Sequence, residues 1–391
     1  MREMSNATSG AAKDVSRRAF LKFGGAAGLT VALGGSLATL TGCHSELADN
    51  IIKGQRTVTD HAGREVVIPT VDKLERIYYT SALAEIYVFS LAPELRGGTS
   101  INYTSEELKY LPADTADLLY MGSLSGGGEI DREMLMEEDI QLVFSISGTE
   151  LTAANISEAE DLQEATGIPT LVVDGSFTNV MEAYRFVGDV MGITDRAEEI
   201  ATFCEGIYND VTSALADVAD EDRVSLYYAE GPFGLSSEPD VSQHALTFEV
   251  AKARNVAAAI PLATTGYGMS AVSLESVIAW DPEVIVAWDD VIRGGADELI
   301  RTDPDWSNIR AVKNGRVYTM PNAPFAWCDR PPGVNRFLGI QWVANMLYPD
   351  LYPKDMVEAT KEFYSTLYWV DITDEDAKEL LGNSYPPYQA S

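Results

Sequence analysis

Cysteine and histidine are scarce in this sequence, with three of each in 391 residues. So few soft ligands argue against a zinc ribbon, a metal cluster or a histidine site for a bare divalent ion. Basic residues are also outnumbered, since 28 lysines and arginines face 60 acidic residues and leave a formal charge of −32. Sequence-independent nucleic-acid binding depends on clustered basic side chains, so no nucleic-acid partner is expected.

Motifs for nucleophilic or phosphate chemistry are missing as well. The sequence contains no Gly-x-Ser-x-Gly, and the glycine-rich stretch from Gly122 to Gly128 lacks the Lys-Ser/Thr ending of a phosphate-binding loop. Neither enzymatic activity nor a resident cofactor is therefore expected. Apolar residues still make up 46% of the chain, and at ~150 residues per domain the length predicts two folded units.

Charge is unevenly distributed along the chain. Residues 1–42 carry five basic side chains and two acidic ones, whereas residues 43–391 carry 23 basic and 58 acidic ones. The apolar run from Phe23 to Leu40 contains five glycines and is shorter than the ~20 residues of a membrane-spanning helix. A basic start before such a run predicts a secretory signal peptide over residues 1–42.

Two motifs refine the signal-peptide prediction. The run from Ser16 to Lys22 (SRRAFLK) resembles a twin-arginine export motif, and the run from Leu40 to Cys43 (LTGC) resembles a lipobox. The alternative is an accidental arginine pair before an apolar core helix. On the lipobox interpretation Cys43 is acylated and residues 43–55 form a polar tether. The protein would then be held by lipid on the outer face of the cytoplasmic membrane, at the cell surface or in the periplasm.

From residue 56 onward, short β-rich runs alternate with amphipathic helical patterns. The first two runs flank the polar turn from Thr59 to Arg64 and predict a hairpin with His61 at the surface. Later apolar runs predict three buried strands in each half, over residues 76–79, 142–145, 170–173, 223–228, 284–288 and 317–320. This alternation predicts an α/β fold in which residues 56–193 and 220–391 each form an α/β sandwich with a largely parallel sheet.

One long helix is predicted between these two lobes, over residues 194–219. Apolar residues recur there every three or four positions from Ile193 to Val218, and form one stripe opposite a polar face. Thr194 or Asp195 can cap its start. At ~1.5 Å per residue the helix would be roughly 39 Å long, enough for a rigid strut. An ordinary long helix packed within one domain is the alternative.

The two halves also share a weak internal repeat. Glu133 and Glu275 each open a short predicted helix, and a buried strand begins nine residues after each of them. Two carboxylates at matching positions favour two related lobes. The residue types around the two glutamates mostly differ, so chance similarity between two helix–strand units is the alternative.

Three segments together resemble a known family. They are the hairpin from Thr59 to Arg64, the run from Val272 to Ile285, and the run from Trp306 to Tyr318. Over about residues 56–370, their order and spacing resemble the helical-backbone (class III) substrate-binding lipoproteins of ABC importers for iron–siderophores, haem or vitamin B12. The resemblance implies two α/β lobes joined by one long helix, with the ligand in a largely pre-formed cleft between them.

The resemblance also implies partners. An ABC permease, with its ATPase, would receive the ligand, and one acidic residue on each lobe would pair with permease arginines. Glu133 and Glu275 occupy the matching positions for that docking. In the alternative, each carboxylate only stabilises the N-terminus of its helix.

Ligands of open α/β sheets bind beyond the carboxyl ends of the strands, so the loops there should supply the contacts. The loop after the final strand is the leading candidate, because Phe325 and Trp327 offer flat faces and Arg330 offers a fork of donors. In the alternative, both rings pack in the core and Arg330 pairs with Asp329. The full set of predicted ligand contacts is Tyr79, Thr80, Tyr103, Tyr228, Trp288, Arg293, Phe325, Trp327 and Arg330.

Aromatic faces with a few arginines suit a chelated metal, so an iron–siderophore, haem or a corrinoid is the expected ligand. A metal oxyanion such as molybdate is the second candidate, and a small amide-rich pocket would favour it. An exported enzyme or a sensor lipoprotein on the same scaffold is the alternative from another class. Cys204 lies on the long helix and Cys328 near the expected cleft, so no disulfide between them is assumed.

Overall fold

The protein contains two parallel sheets, one in each half of the chain. The computed structural model describes residues 54–263, 268–289 and 294–385. The strands are β1 (Gln55–Thr59), β2 (Glu65–Pro69), β3 (Ile77–Tyr79), β4 (Leu142–Ser147), β5 (Thr170–Asp174), β6 (Ser225–Ala229), β7 (Ser236–Ser237), β8 (Arg254–Asn255), β9 (Ser270–Ala271), β10 (Val284–Trp288) and β11 (Val317–Met320). The first sheet has the order β3-β4-β5 and the second the order β11-β10-β6-β8.

Pairing within both sheets is parallel, as the alternation of strands and helices predicts. The two lobes of the α/β fold are therefore confirmed. Strands β10 and β11 match the predicted bounds to the residue, and the other four predicted strands shift by one or two residues at their ends. All six are almost completely buried, because helices cover both faces of a parallel sheet.

The antiparallel hairpin β1–β2 covers the β5 edge of the first sheet. Asp60, in its turn, is buried; one carboxylate oxygen accepts the backbone N–H of Val172 at 3.0 Å and the Nη2 of Arg64 at 2.7 Å. Arg64 also donates to the carbonyl of Thr170 at 2.7 Å. An uncovered edge strand would leave these backbone groups unpaired, so the hairpin closes that edge of the sheet.

The prediction of a surface position for His61 is wrong. The Nδ1 atom of His61 accepts the backbone N–H of Asp174 at 3.1 Å, and its ring lies 4.5 Å from that of Phe186. The turn lies against the sheet edge instead of projecting into solvent, which half-buries the imidazole.

The helices connect these strands and cover the sheets. They are α1 (Ala82–Leu91), α2 (Arg132–Glu137), α3 (Ala153–Thr166), α4 (Val180–Met191), α5 (Thr194–Ala214), α6 (Leu246–Val250), α7 (Leu274–Trp280), α8 (Asp297–Thr302), α9 (Arg310–Lys313), α10 (Asn335–Leu347), α11 (Met356–Tyr368) and α12 (Asp374–Leu381).

Helix α5 is the predicted connecting helix, but it ends at Ala214 instead of residue 219. A turn follows and still buries Leu215 completely, so the apolar stripe extends beyond the end of the helix. Its 21 residues at ~1.5 Å each span roughly 32 Å. The predicted side-chain cap is also wrong, because no side chain caps the first turn, which follows Ile193 directly.

Helix α5 packs on one side against α4 of the first lobe and on the other against α10 of the second. A Cβ atom on Gly188 would lie 2.2 Å from the Cβ of Ala197, so glycine allows the close approach of α4 and α5. One apolar core runs through both sheets, α5, α10 and α11, while a smaller core covers the opposite face of the second sheet. Because the larger core is shared, the two lobes are packed together and not merely tethered.

The predicted signal peptide over residues 1–42, the lipidated Cys43 and the tether up to residue 53 lie outside the described residues. Arg293, one of the predicted ligand contacts, also lies outside them. Within the described ranges, no helix has the length and apolar character needed to cross a membrane.

Candidate functional site

A cleft of about 490 Å³ opens where the two lobes meet. Thr149, just after β4, lines it from the first lobe. The second lobe supplies the remaining lining residues, which are Asp240, Val241, Ser242, Gln243, His244, Leu246, Glu249, Leu262, Ala263 and Gly268. Its position beyond the carboxyl end of a parallel strand is the one expected for a ligand in this type of sheet.

Arg330 lies behind this lining, where the loop after β11 meets the ends of β6 and β10. Its Nη1 is 2.7 Å from Oε1 of Glu230, and its Nη2 is 3.3 Å from Oε1 of Glu238. Asp329 forms a third ion pair with it. Its guanidinium also lies over the ring of Trp288, 4.5 Å from the centroid. Only 11% of the side chain is exposed, so three carboxylates surround one largely buried cation.

We call Glu230, Glu238, Asp329 and Arg330 the carboxylate cage. Two further side chains, Tyr228 and His244, contact it. The hydroxyl of Tyr228 accepts from Nη1 of Arg330 at 3.3 Å and lies 3.4 Å from Oδ2 of Asp329. His244 contacts Asp329 through Nδ1 and also lines the cleft. The sequence-based alternative, in which Arg330 pairs with Asp329, is therefore the arrangement that the structure has.

Burial shifts the titration of this cage. It raises the pKa of Glu230 to about 8; Arg330 opposes the rise and Glu238 adds to it. Glu230 is consequently protonated at neutral pH, which reduces the repulsion within the cage. Burial, with a contribution from Arg330, lowers the pKa of His244 to about 4, so its imidazole is neutral.

Phe325 and Trp327, the predicted aromatic contacts, lie in an aromatic cluster that joins the lobes. The Phe325 ring lies 6.2 Å from those of Phe89 and Tyr103 in the first lobe, and 5.9 Å from Tyr368 in α11. Trp327 donates its Nε1–H to the Tyr364 hydroxyl at 3.2 Å. Both rings are buried, so the packing alternative describes their position in this structure.

The remaining predicted contacts in the first lobe are also engaged. Tyr79 is fully buried and its hydroxyl donates to the carbonyl of Gly98. Thr80 is buried beside Ser145, with 3.4 Å between their hydroxyl oxygens. The hydroxyl of Tyr103 donates to Oε1 of Glu85 at 2.9 Å. The structure thus brings Tyr228, Trp288 and Arg330 together, whereas Tyr79, Thr80 and Tyr103 make their hydrogen bonds within the first lobe.

Sequence reasoning missed most of the cage and much of the cleft lining. Glu230 directly follows a buried strand, a position that could have identified it, because polar groups there face the ligand end of the sheet. Glu238 and Gln243 lie in loops without any comparable signal. His244 carries a clearer signal, because it is one of only three histidines in the sequence, and it lines the cleft.

Glu133 and Glu275 occupy equivalent places in the two lobes. Each is an exposed second residue of a short helix, α2 or α7, whose N-cap is Asp131 or Ser273. The strands that follow, β4 and β10, each have a parallel neighbour on both sides. A surface groove of about 790 Å³ adjoins Glu133. The repeat predicted from the sequence is therefore present in three dimensions.

Cys204 and Cys328 are both buried and free. Burial raises the pKa of each thiol, which makes both poor metal ligands and poor nucleophiles. Across the described residues, no group of three or more His, Cys, Asp or Glu side chains is arranged to hold a metal ion.

Comparison with known proteins agrees with this architecture. The family described as periplasmic binding protein matches residues 102–324, and the chain belongs to that family. The molybdate-binding protein MolA of Haemophilus influenzae is 27% identical over 85% of this chain and 95% of its own length. Its molybdate-bound structure has a TM-score of 0.61, at 22% identity, covering 81% of this chain and 99% of its own.

Other solved structures have the same fold. An ABC transporter solute-binding protein from Sulfurospirillum deleyianum is 27% identical, with a TM-score of 0.74, over 83% of this chain and 98% of its own. CeuE of Helicobacter pylori, in a nickel–histidine complex, is 17% identical with a TM-score of 0.62, over 84% and 99%. The class predicted from the sequence, a class III substrate-binding protein of an ABC importer, is confirmed. Proteins of this family bind solutes outside the cytoplasm and work with ABC permeases.

Proposed function

We propose that this protein captures a metal-containing solute in the cleft between its lobes and delivers it to an ABC permease. The observation that carries the proposal is the cleft itself, about 490 Å³ in volume and lined from both lobes. A pre-formed cavity of this kind is the usual form of a small-molecule site. We take residues 56–193 and 220–391 as the two lobes and residues 194–219 as their connection.

The cargo that we favour is a metal oxyanion of the molybdate type. The relative with 27% identity over most of both chains is a molybdate-binding protein. The described lining of the cleft carries no Phe, Tyr or Trp, so it lacks the flat faces that suit haem or an aromatic siderophore. Ser242, Gln243 and Thr149 instead offer hydroxyl and amide groups at its wall.

A chelated metal is the second candidate, and the size of the cleft favours it. Its volume of about 490 Å³ lies well inside the range of about 300–1,000 Å³ of small-molecule sites. A bare four-oxygen anion would leave much of that space to water, whereas a siderophore or corrinoid complex would fill more of it.

Titration of the purified protein with molybdate, tungstate, a ferric siderophore, haem and cyanocobalamin tests the cargo. A ligand present at about 100 times its Kd should add about 2.7 kcal/mol of apparent stability, visible as a thermal shift. Saturable binding of an oxyanion alone supports the favoured cargo, and binding of a chelate alone selects the second candidate. If none of these ligands binds, the proposal of a metal-containing cargo is overturned.

Docking on the permease is assigned to Glu133 and Glu275. Their exposed positions on equivalent helices would present one carboxylate per lobe to basic permease side chains. Charge reversal at both, Glu133→Lys with Glu275→Lys, should abolish uptake and leave solute affinity unchanged. The matched control is Glu375→Lys, another exposed carboxylate in the first turn of a helix. Uptake at the normal rate in the double variant would refute the assignment.

Export and anchoring complete the proposal. The twin-arginine-like run and the lipobox would carry the folded protein across the membrane and attach it through acyl chains on Cys43. Cys43→Ser should then release the protein from the membrane fraction. Arg17→Lys combined with Arg18→Lys should block its export.

A further inference from the structure

Arg336, at the start of α10, is the second large buried cation beside the cleft. Its side chain is fully buried. The guanidinium donates to the carbonyls of Pro332 at 2.6 Å and, more weakly, of Gly333 and Gln243 at 3.5 Å each. Its Cζ lies over the ring of Phe177, 5.0 Å from the centroid. Gln243 lines the cleft, so Arg336 lies directly behind the cleft wall.

The charge of Arg336 has no carboxylate counterpart in the described chain, because no ion pair joins it to an Asp or Glu there. By contrast, buried Arg96 is 2.8 Å from Asp114, and Arg330 has three carboxylates. Burial lowers the pKa of Arg336 to about 10, so it is still charged at neutral pH. A buried ion without a partner is costly, and its placement therefore calls for an opposite charge.

The helix adds to this positive potential. Arg336 is the second residue of the 13-residue α10, at the end where the helix dipole is positive. A cation at that end is unfavourable, and the first turn of α10 contains no acidic residue. Arg336 and the start of α10 therefore both place positive charge behind Gln243, opposite in sign to Asp240 and Glu249 in the cleft lining.

Several polar atoms near Arg336 lack hydrogen-bond partners within the described residues, among them the hydroxyl of Tyr87 and Oε1 of Gln243. Tyr87 is fully buried; burial raises its pKa and Arg336 opposes the rise, so the guanidinium acts on it electrostatically. The Oε1 of Gln243 is 3.4 Å from where a Cβ on Gly148 would lie, at the junction of the lobes. A hydroxyl and a carboxamide that can rotate supply N–H and O–H donors of the kind that oxyanions accept.

We propose that Arg336, with Tyr87 and Gln243 beside it, is the group that selects an anionic cargo in the cleft. The proposal rests on the proposed function and narrows the cargo to a solute with net negative charge. Arg336 acts through the cleft wall, because its guanidinium is held behind Gln243 and not in the lining. It supplies the positive potential, while Gln243 and the backbone of the wall, which line the cleft, contact the anion. The carboxylate cage around Arg330 cannot supply this potential, since its three acidic side chains outnumber its single arginine.

Molybdate binding to the full-length protein, measured by calorimetry at low and moderate salt, tests this role. Arg336→Met should weaken binding at least tenfold, whereas Arg336→Lys, which restores the charge but not the fork of donors, should stay within about threefold. Tyr87→Phe removes an unpartnered hydroxyl without changing shape, so it should fold normally and weaken binding by a smaller factor. Arg185→Met, at an exposed pair with Glu198, is the control and should bind as the unmodified protein.

The outcomes separate this inference from the proposed function. Unchanged molybdate affinity in Arg336→Met would overturn the role of Arg336 and leave the proposed function standing. If the unmodified protein binds cyanocobalamin, which has no net charge, and none of the anions, the anionic selection is overturned. If Arg336→Met does not fold, the decision passes to Arg336→Lys and Tyr87→Phe. Loss of molybdate binding in Arg336→Lys at unchanged Tm, together with normal binding in Tyr87→Phe, would then refute the proposal.

Discussion

Arg330 and Arg336 lie six positions apart in the sequence, and both lie buried beside the same cleft, yet their electrostatic surroundings are opposite. Arg330 is enclosed by Glu230, Glu238 and Asp329, so its charge is more than matched. Arg336 has backbone carbonyls and an aromatic ring around it and forms no ion pair with a described carboxylate. On our proposal, the counter-charges of Arg330 are built into the fold, whereas the counter-charge of Arg336 arrives with the cargo in the cleft.

The largest expected effect comes from Arg330→Met. Removing the cation leaves the buried carboxyl groups of Glu230, Glu238 and Asp329 without their shared counter-ion, and breaking buried pairs in this way costs about 3–5 kcal/mol. Urea denaturation should show that loss in the free energy of unfolding. The exposed pair of Arg185 with Glu198 is the control, since Arg185→Met should cost less than about 1 kcal/mol. Equal losses in both variants would mean that the cage contributes no more than a surface pair.

The cage should also make stability depend on pH. Burial raises the pKa of Glu230 to about 8, above that of a glutamate in the unfolded chain, so its stabilising contribution is complete at low pH and is lost as the pH rises through about 8. His244 has the opposite sign, since its lowered pKa of about 4 makes its contribution disappear as the pH falls. Between about pH 6.5 and 8 the carboxyl therefore dominates, and stability should fall by about 1–2 kcal/mol.

Unfolding measured across that pH range, with Glu230→Gln as the comparison, checks the sign. The amide cannot ionise, so the variant should keep only the shallower slope from Glu85, whose buried carboxyl has a pKa raised to about 7. A slope in Glu230→Gln as steep as that of the unmodified protein would exclude Glu230 as its source.

Arg336→Met should have a smaller effect on stability than Arg330→Met. It removes a buried charge that lacks a carboxylate and gives up hydrogen bonds to three carbonyls, for a net loss of about 1–2 kcal/mol. Unfolding in urea measures it, and the difference from Arg330→Met is the quantity of interest. A decrease in the free energy of unfolding as large as that of Arg330→Met would indicate that Arg336 has a counter-charge within the fold. The two arginines would then not differ in the way proposed.

Tyr87→Phe should have the smallest effect of the series. Its hydroxyl is buried and has no hydrogen-bond partner among the described residues, so the change should leave the free energy of unfolding within about 0.5 kcal/mol or raise it slightly. The thermal midpoint without ligand measures this. A clear destabilisation would mean that the hydroxyl is satisfied by ordered water and belongs to the fold.

Much of the fold was predictable because hydrophobic periodicity reports burial. The strand Val284–Trp288 is a continuous apolar run, and Val317–Met320 is interrupted only by the partly buried Thr319, as expected of a sheet covered on both faces. The end of α5 was less predictable, because Leu215 is buried by a turn as completely as by a helix. Periodicity records which side chains are buried and does not record the backbone conformation that buries them.

The site was predictable only in part. The rule that ligands meet the carboxyl ends of strands led to Tyr228, Trp288 and Arg330, which do cluster. It also led to Phe325 and Trp327, whose rings join the lobes. An aromatic residue in a loop has the same sequence signature in a ligand site and in a core. The sequence did not indicate that Arg336 is buried beside the cleft, because an arginine within an apolar helical run is typical of a solvent-exposed face.

The amino-acid sequence by itself determined the alternation of strands and helices, the two lobes, the helix between them and the equivalent positions of Glu133 and Glu275, since these follow from local patterns of burial and spacing. Only the tertiary structure decided which charges are matched. Counter-ions such as Glu230 and Glu238 lie about a hundred residues from Arg330, and Arg336 lacks any in the described chain. Electrostatic energy depends on distance through space in a medium of low polarity, and separation along the chain does not determine that distance.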